Sequence, residues 1–353
     1  MTRPKVGVLT FHRSINYGSF WQATRLVEGL RSRGHEPVVL DYDSRSVCSA
    51  ELRCALQPEL PKRTAPGLLG SYARKTRRLA KATEGLPLSS RFPLHRPELA
   101  GGYDIIVVGS DEVWNFRHPW FGGKPIFFGD DLRTERLVSY AASFGNHGKW
   151  DGISDDWARK LERFARLSVR DGNSAALVRA GTEREPPIVL DPCLQFPPIA
   201  GAQPSGSDYA VVYGHGFPDW LTLAVRSWAG SRGVRLVSLG YENDWADEQR
   251  IDAGPFDFAE AMAGARAVVT NFFHGCVFAL LGGRPWVTAP SAYRSIKIPD
   301  LAALLGTEHR IVGEDSTASK IGELLDVPIE ACVADRIGEL RANSGKYLDE
   351  ALS

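Results

Sequence analysis

A histidine–glycine pair stands between two apolar runs of the chain. Residues 268–287 read VVTNFFHGCVFALLGGRPWV, so His274 and Gly275 fall where a buried strand gives way to a buried helix. An imidazole changes its protonation near neutral pH and can act as a general acid or base. A histidine at this junction either faces a ligand at the start of the helix or is a core residue whose polar atoms are satisfied. The residue pattern alone allows both interpretations.

Two more polar turns follow predicted strands. NYG, with Asn16 and Gly18, comes after KVGVLTF, and GSDEVWN, with Asp111 and Trp114, comes after DIIVV. Ligands bind beyond the carboxyl ends of strands in open α/β sheets, so all three turns are candidate binding sites. Each also has a structural explanation. Asn16 and Gly18 suit a tight turn, Asp111 suits a helix cap, and the tryptophan equally suits a core.

Strands and helices alternate along most of the chain. KVGVLTF, an amphipathic segment and PVVLDYD make a βαβ unit, and YAVVYGHGF, VRLVSLG, RAVVTN and PWVTAP alternate with helical segments later on. Such crossovers produce parallel sheets covered by helices. We therefore predict an α/β fold with two Rossmann-like domains that face each other across a cleft.

Breaks in this alternation give the predicted domain boundaries, since 353 residues exceed one ordinary core. Residues 1–195 form the N-terminal domain, 196–207 a Pro/Gly-rich linker, 208–330 the C-terminal domain, and 331–353 a helix that packs back on the N-terminal domain. Residues 44–100 are a basic insertion in the first domain, with the run ARKTRRLAK. We interpret this run as the solvated face of a helix; the alternative is a patch for an anionic or membrane-linked acceptor.

Composition and missing motifs exclude several classes of protein. Lys+Arg and Asp+Glu both number 42, so nucleic acid is not an expected partner. The five cysteines form no CxxC pair and the histidines lack metal-ligand spacing, so we expect no metal site and a reducing compartment. Neither a dinucleotide fingerprint nor a P-loop is present. Without an apolar leader or a run of ~20 apolar residues, we expect a cytoplasmic protein with no transmembrane segment.

Six blocks taken together resemble the polysaccharide pyruvyl transferase family. They are NYGSFWQATRLVEGLRSRGHEPVVLDYD, YDIIVVGSDEVWN, SYAASFG, LSVRDGNSAALV, IVLDPCL and VVTNFFHGCVFALLGGRPWV, in the family's order, and RANSGKYLDEAL resembles its terminal helix. The resemblance implies the two-domain arrangement also seen in GT-B glycosyltransferases. It also implies transfer from phosphoenolpyruvate onto two hydroxyls of a sugar or glycoconjugate, which makes a pyruvate ketal with no cofactor besides the donor substrate.

The resemblance implies roles for the residues of the polar turns. His274 and Asp111 would be catalytic, on the donor side and the acceptor side of the cleft. The substrate-binding residues would be Asn16, Tyr17, Gly18, Ser110, Trp114 and Asn115 on the acceptor side, with Asn271 and Gly275 on the donor side.

One position departs from the family's pattern. Many members read Arg-x-His-Gly where this chain has Phe272, so a fixed positive charge is missing. Arg170, Arg294 and Lys297 are candidates to supply it, and each has the alternative of a solvated surface position. Two other functions therefore stay open: a transferase of the same architecture with another donor, such as a nucleotide sugar, and a non-catalytic relative that binds glycan or a partner.

Overall fold

The structure, a computed structural model, describes residues 4–198, 207–291, 293 and 295–353. The chain divides into two units. Among the described residues, the first unit contains 4–51, 81–198 and 337–353, and the second contains 52–80 together with those between 207 and 336. The predicted linker falls mostly on residues 199–206, which lie outside the described part.

The described residues form short strands and mostly longer helices. The strands are β1 (Lys5–Leu9), β2 (Glu36–Val39), β3 (Tyr42–Asp43), β4 (Phe92–Pro93), β5 (Gly102–Val108), β6 (Arg133–Ser139), β7 (Tyr209–Tyr213), β8 (Arg235–Leu239), β9 (Glu248–Arg250), β10 (Val268–Thr270) and β11 (Trp286–Thr288). The α-helices are α1 (Tyr17–Ser32), α2 (Arg45–Leu56), α3 (Pro66–Thr83), α4 (Asp155–Glu162), α5 (Gly172–Thr182), α6 (Pro192–Gln195), α7 (Asp219–Arg232), α8 (Pro255–Gly264), α9 (Phe273–Leu281), α10 (Lys297–Leu305), α11 (Ala318–Asp326) and α12 (Ala331–Leu352). Of these helices, none is both long enough and apolar enough to cross a membrane.

The first unit is built on a parallel sheet in the order β2-β1-β5-β6. Its central strands read KVGVL and GYDIIVV, and such apolar, β-branched runs suit strands covered on both faces. Single bridges extend the sheet beyond β6, through Val138 to Arg166 and through Val169 to Ile188. Because the strands are parallel, the loops that follow Leu9 and Val108 leave from the same edge.

The second unit has a parallel sheet of its own, in the order β11-β10-β7-β8-β9. Strand β10 is three residues long and buried, and it lies between β7 and β11. The residues after Tyr213, Leu239 and Thr270 therefore leave at one edge. The α/β architecture with parallel sheets, predicted from the alternation of elements, is confirmed.

Helix α12 contributes to the core of the first unit. Its residues Tyr347, Leu348, Ala351 and Leu352 are buried together with apolar residues of β1 and β5. The Tyr347 hydroxyl also donates a hydrogen bond to the Ser139 carbonyl at 2.7 Å, at the end of β6. The last turns of α12 are thus part of the hydrophobic core around the first sheet.

The segment predicted as a basic insertion contains helices α2 and α3, and the basic run lies on a helix as interpreted. Residues 52–80, however, group with the second unit rather than with the first. The basic run of α3 is not uniformly solvated either. Arg74 and Arg78 are exposed and pair with Asp252 and Asp257, whereas Lys75 is buried.

Candidate functional site

The turn after β1 begins with the cap of α1. The side-chain oxygen of Asn16 accepts hydrogen bonds from the backbone N–H groups of Gly18 at 2.7 Å and Ser19 at 3.3 Å. Tyr17, the first residue of the helix, is buried. The structural explanation of this turn therefore applies to Asn16, because an oxygen that satisfies two helix donors has a capping role.

A buried carboxylate, that of Asp41, binds two residues of the same loop. Asp41 receives two hydrogen bonds from Arg13, at 2.5 and 2.7 Å, and its Oδ1 lies 3.1 Å from Nε2 of His12. Burial alone would raise the pKa of Asp41, but the hydrogen bonds from His12 and Arg13 lower that pKa well below its usual range. The loop after β1 is therefore held by charge as well as by its backbone.

Glu51 of α2 is a second buried acid that contacts this loop, and no motif in the sequence pointed to it. Its carboxylate accepts hydrogen bonds from Ser14 Oγ at 2.9 Å, from the Ile15 N–H at 3.0 Å and from the Trp120 indole at 2.8 Å. Burial nevertheless raises the pKa of Glu51 above its usual value. Glu51 lies in the segment predicted as an insertion, and its contact with the loop joins residues about 36 positions apart in the sequence, which local patterns do not reveal.

Asp111 follows β5 and has a left-handed backbone, with φ of 76°. Its Oδ2 accepts a hydrogen bond from Ser19 Oγ at 2.8 Å, and its Oδ1 accepts one from the Glu112 N–H at 2.9 Å. The preceding Ser110 is fully buried, and its hydroxyl has no hydrogen-bond partner among the described residues. A non-glycine residue at positive φ is strained, and strain of this kind concentrates at functional sites.

Arg170 is buried beside two acids, which excludes the surface position considered for it. Its Nη1 donates to Asp191 Oδ2 at 2.9 Å, and its Nη2 lies 3.5 Å from Asp111 Oδ1. Burial opposes the charge, but Asp191, Asp111 and Asp171 outweigh it and raise the pKa of Arg170. We call Ser19, Asp111, Arg170 and Asp191 the acid–arginine cluster.

Two of the predicted substrate-binding residues have structural roles instead. Trp114 is 1% exposed, packs against Phe128, Phe144 and Phe164, and donates its indole N–H to the Phe127 carbonyl at 2.8 Å. It is a core residue, because its ring and its N–H are both engaged within the core. The buried amide of Asn115 donates to Glu112 at 2.6 Å and to Asn146 at 2.9 Å, and it accepts from the Arg117 N–H, so it braces the loop.

In the second unit, the boundary between strand and helix lies where the sequence predicted it. β10 ends at Thr270, and α9 begins at Phe273 with Phe272 as its N-cap residue. Thr270 Oγ1 donates to the Tyr213 carbonyl at 2.6 Å and accepts from the Phe272 N–H at 3.1 Å. A side chain on Gly275 would overlap Thr270 Oγ1, so close packing of α9 on β10 requires this glycine.

His274 occupies the first turn of α9 and is 8% exposed. The N-terminal end of a helix carries partial positive charge and outward-facing N–H groups, which suit an anion. Asn271, just before the helix, is buried and donates its amide to the His215 carbonyl at 2.7 Å. Its side-chain oxygen has no hydrogen-bond partner in the part of the chain that the structure describes.

Phe272 is packed inside a cluster of rings. It meets Tyr213, His215 and Tyr241 edge to face, with ring centroids 5.0, 5.4 and 5.1 Å away. We call these four residues the aromatic cluster. Neither His215 nor Tyr241 was among the residues expected at the site, although each directly follows a strand and a glycine, in YGHG and LGY.

A family model for polysaccharide pyruvyl transferases matches residues 16–290. The chain belongs to the polysaccharide pyruvyl transferase family. The match includes the turns at Asn16, Asp111 and His274, and it confirms the resemblance seen in the sequence. No curated protein sequence matches the chain.

Solved structures similar to this family member include enzymes of nucleotide-sugar metabolism. The UDP-GlcNAc 2-epimerase of Neisseria meningitidis, bound to UDP-GlcNAc, has a TM-score of 0.51 and 10% identity, and the match covers 98% of each chain. The epimerase of Methanocaldococcus jannaschii gives 0.49 and 8% over 92% of each chain. The glycosyltransferase SnogD of Streptomyces nogalater gives 0.46 and 14% over 99% of this chain and 98% of its own. Of these three, the Neisseria enzyme has the fold that matches most of the chain with a TM-score above 0.5.

Together these comparisons establish the fold and the broad class of this family member. The fold is α/β with parallel sheets, as predicted, and it is similar to that of the Neisseria UDP-GlcNAc 2-epimerase. The protein is a transferase that modifies glycans.

Two candidates for the family's missing arginine lie after β11. Lys297 begins α10 and is buried, with its ammonium 5.3 Å from the ring centroid of Tyr293, so it is not the solvated loop residue considered as its alternative. Arg294 lies outside the described residues. The position of Lys297 at a helix start keeps it a candidate for anion binding.

Proposed function

We propose that the protein transfers the enolpyruvyl-derived group of phosphoenolpyruvate to a sugar or glycosylated precursor and closes a pyruvate ketal. Family membership supports this activity. The observation that carries the proposal is the position of His274 in the first turn of α9, directly beyond β10. This position puts a titratable ring where a helix end favours a phosphate.

The reaction requires a proton at C3 of phosphoenolpyruvate while C2 gains positive charge. A sugar hydroxyl then attacks C2 and loses its proton, phosphate leaves, and a second hydroxyl closes the ketal. We assign the proton donated to C3 to His274. A phosphate bound beside the ring would favour the imidazolium, so donor binding itself would prepare the acid.

The acid–arginine cluster supports the acceptor half of the reaction in this proposal. Asp111 would accept the proton of the attacking hydroxyl, and its hydrogen bond from Ser19 and ion pair with Arg170 hold the carboxylate in one orientation. Tyr17, Gly18 and Ser110 belong to the same two turns and would line the sugar's side. The reaction needs no cofactor besides its donor, and because phosphoenolpyruvate is a cytoplasmic metabolite, the proposal sets it in the cytoplasm.

Donor identity is the first point to test. Phosphoenolpyruvate, UDP and CMP are offered separately to the purified protein, and its melting temperature is measured. We expect phosphoenolpyruvate alone to raise it, because binding to the folded state stabilises a protein. A rise with UDP or CMP and none with phosphoenolpyruvate would refute the proposed donor.

The role of His274 is tested by phosphate release. With phosphoenolpyruvate and a panel of sugar acceptors, ³¹P NMR follows free phosphate and proton NMR follows the ketal methyl group. His274→Gln should lower the rate ~10²- to 10⁴-fold, as expected for loss of a general acid. His309→Gln, which alters an exposed histidine of the same unit, is the control. Equal rates in the two variants would remove His274 from the mechanism.

A second candidate function is supported by Phe272. Its ring lies among three other rings, at the position where many family members have an arginine. Aromatic rings suit a planar group of the donor, such as a nucleotide base, better than an anionic group. The corresponding activity is transfer from a nucleotide-sugar donor. In the melting experiment this reading predicts stabilisation by UDP or CMP, while a protein that none of the three ligands stabilises would be a non-catalytic relative.

A further inference from the structure

We propose that His215 is a second donor-side residue, which binds the carboxylate or phosphate of the donor beside His274. The inference rests on the proposed function, because it assumes an anionic donor at the carboxyl edge of the second unit's sheet. It concerns a residue to which neither the family pattern nor the polar turns assigned a role.

The sheet places the two histidines on neighbouring loops. β7 pairs with β10 in parallel, and Tyr213 at the end of β7 is opposite Thr270 at the end of β10. His215 lies two residues beyond the first strand end, and His274 lies four residues beyond the second. The bond from the Asn271 amide to the His215 carbonyl, 2.7 Å long, joins the loops directly.

The backbone around His215 is fixed on both sides. Gly214 and Gly216 have φ values of 147° and 65°, which favour glycine, and a side chain on Gly214 would overlap the Asn271 side-chain oxygen. The Gly214 carbonyl also accepts a hydrogen bond from the Asn243 amide at 2.9 Å. A backbone held in this way presents the intervening side chain in a reproducible position, as ligand recognition requires.

The His215 ring is positioned by its neighbours and still reaches solvent. Its centroid lies 5.3 Å from that of Tyr241 and 5.4 Å from that of Phe272, and the residue is half-buried. Two sides of the ring thus face aromatic neighbours, and the residue as a whole keeps part of its surface exposed, where an incoming anion can approach it.

Charge balance gives this ring its proposed role. Phosphoenolpyruvate has two anionic groups, a carboxylate and a phosphate, whereas Phe272 supplies no charge at the start of α9. Lys75 lies 4.1 Å from the Tyr241 ring centroid, but burial lowers its pKa to about 7, so it does not supply a full positive charge at neutral pH. An imidazole that gains a proton as the donor binds would add one more charge-assisted hydrogen bond.

The test compares a neutral and a cationic replacement. Isothermal titration calorimetry measures phosphoenolpyruvate and inorganic phosphate binding to the wild type, His215→Gln, His215→Arg and the control His309→Gln. We expect His215→Gln to weaken phosphoenolpyruvate binding ~10- to 150-fold, which corresponds to one hydrogen bond to a charged group. His215→Arg keeps a positive charge and His309→Gln lies at an exposed position, so both should bind phosphoenolpyruvate within about threefold of the wild type. If His215 had only a structural role, the glutamine and arginine variants would not differ in affinity.

A measurement on the unmodified protein covers the case in which a variant does not fold. Diethyl pyrocarbonate modifies accessible histidines, and peptide mass spectrometry reads each site. Phosphoenolpyruvate should protect His215 and leave His309 reactive. Unchanged affinity in His215→Gln, equal loss in the glutamine and arginine variants, or absence of protection would each overturn the inference while the proposed donor stands. A wild type that binds no phosphoenolpyruvate would overturn both proposals.

Discussion

The two sheets end in different chemical surroundings. At the carboxyl edge of the first, an arginine is buried between two carboxylates, and one of those carboxylates also accepts from a serine. At the edge of the second, two histidines lie with phenylalanine and tyrosine rings. The first arrangement consists of charges that hold one another, and the second consists of groups that can change charge.

The difference follows from what burial costs each group. A buried guanidinium needs paired carboxylates, because an uncompensated charge in the interior is strongly destabilising. An imidazole can lose its proton and enter an apolar surrounding as a neutral ring. The acid–arginine cluster therefore keeps its charges in fixed positions, whereas the imidazoles of His215 and His274 belong to a class of side chain that can be buried as a neutral ring.

The largest effect should come from breaking the acid–arginine cluster. Arg170→Met leaves Asp191 and Asp111 without their shared cation, and we expect it to lower the free energy of unfolding by about 3–5 kcal/mol in urea titrations. Arg166→Met removes an exposed arginine 3.9 Å from Glu350 and should cost less than about 1 kcal/mol. Similar losses in both variants would mean that the cluster is no more important than a surface ion pair.

A smaller loss is expected from charging the aromatic cluster. Phe272→Arg removes a packed ring and puts a cation near Lys75 and Tyr241, so the free energy of unfolding should fall by ~2 kcal/mol or more. Affinity for phosphoenolpyruvate should not improve. Phe256→Arg, at an exposed position of the same unit, should stay within about 0.5 kcal/mol of the wild type. A stable Phe272→Arg protein that binds phosphoenolpyruvate more tightly would show that the cluster can open to admit the family's arginine.

A third effect concerns how stability varies with pH near the aromatic cluster. Burial lowers the pKa of Lys75 from 10.5 to about 7. Between these values the unfolded chain binds a proton that the folded protein releases, so this residue makes stability rise with pH from about 7 to about 10.5. Its contribution to the slope is at most about 1.4 kcal/mol per pH unit.

Lys75→Met should flatten that part of the profile and raise stability most at or below pH 7. Urea unfolding at pH 6.5, 8 and 9.5 measures the slope, and Lys320→Met, which removes an exposed lysine of the same unit, is the control. An unchanged slope in Lys75→Met would mean that the lysine keeps its proton in the folded protein.

The parallel sheets and the junction at residues 268–275 could be predicted from the sequence, because both depend on residues close together in the chain. Alternating strands and helices give parallel sheets, and a glycine after a short β-branched run marks the change from strand to helix. The same patterns could not separate Trp114 from a binding residue, since a tryptophan after a strand end looks alike in either role. The pairing of Arg170 with Asp191 and Asp111 joins distant parts of the chain. His215 lies in a segment that the sequence pattern predicts as strand. Its proposed role in binding depends on contacts with Tyr241 and Phe272, which are distant from it in the chain.

The division of residues between the units bears on how the chain folds as it is made. The apolar residues of α12 that complete the core of the first unit follow the whole of the second unit in the chain. At ~5–20 residues per second, synthesis of the second unit alone takes on the order of ten seconds. During this time the first sheet lacks the apolar residues of α12, so part of its apolar face stays uncovered. The nascent chain is then most exposed to aggregation.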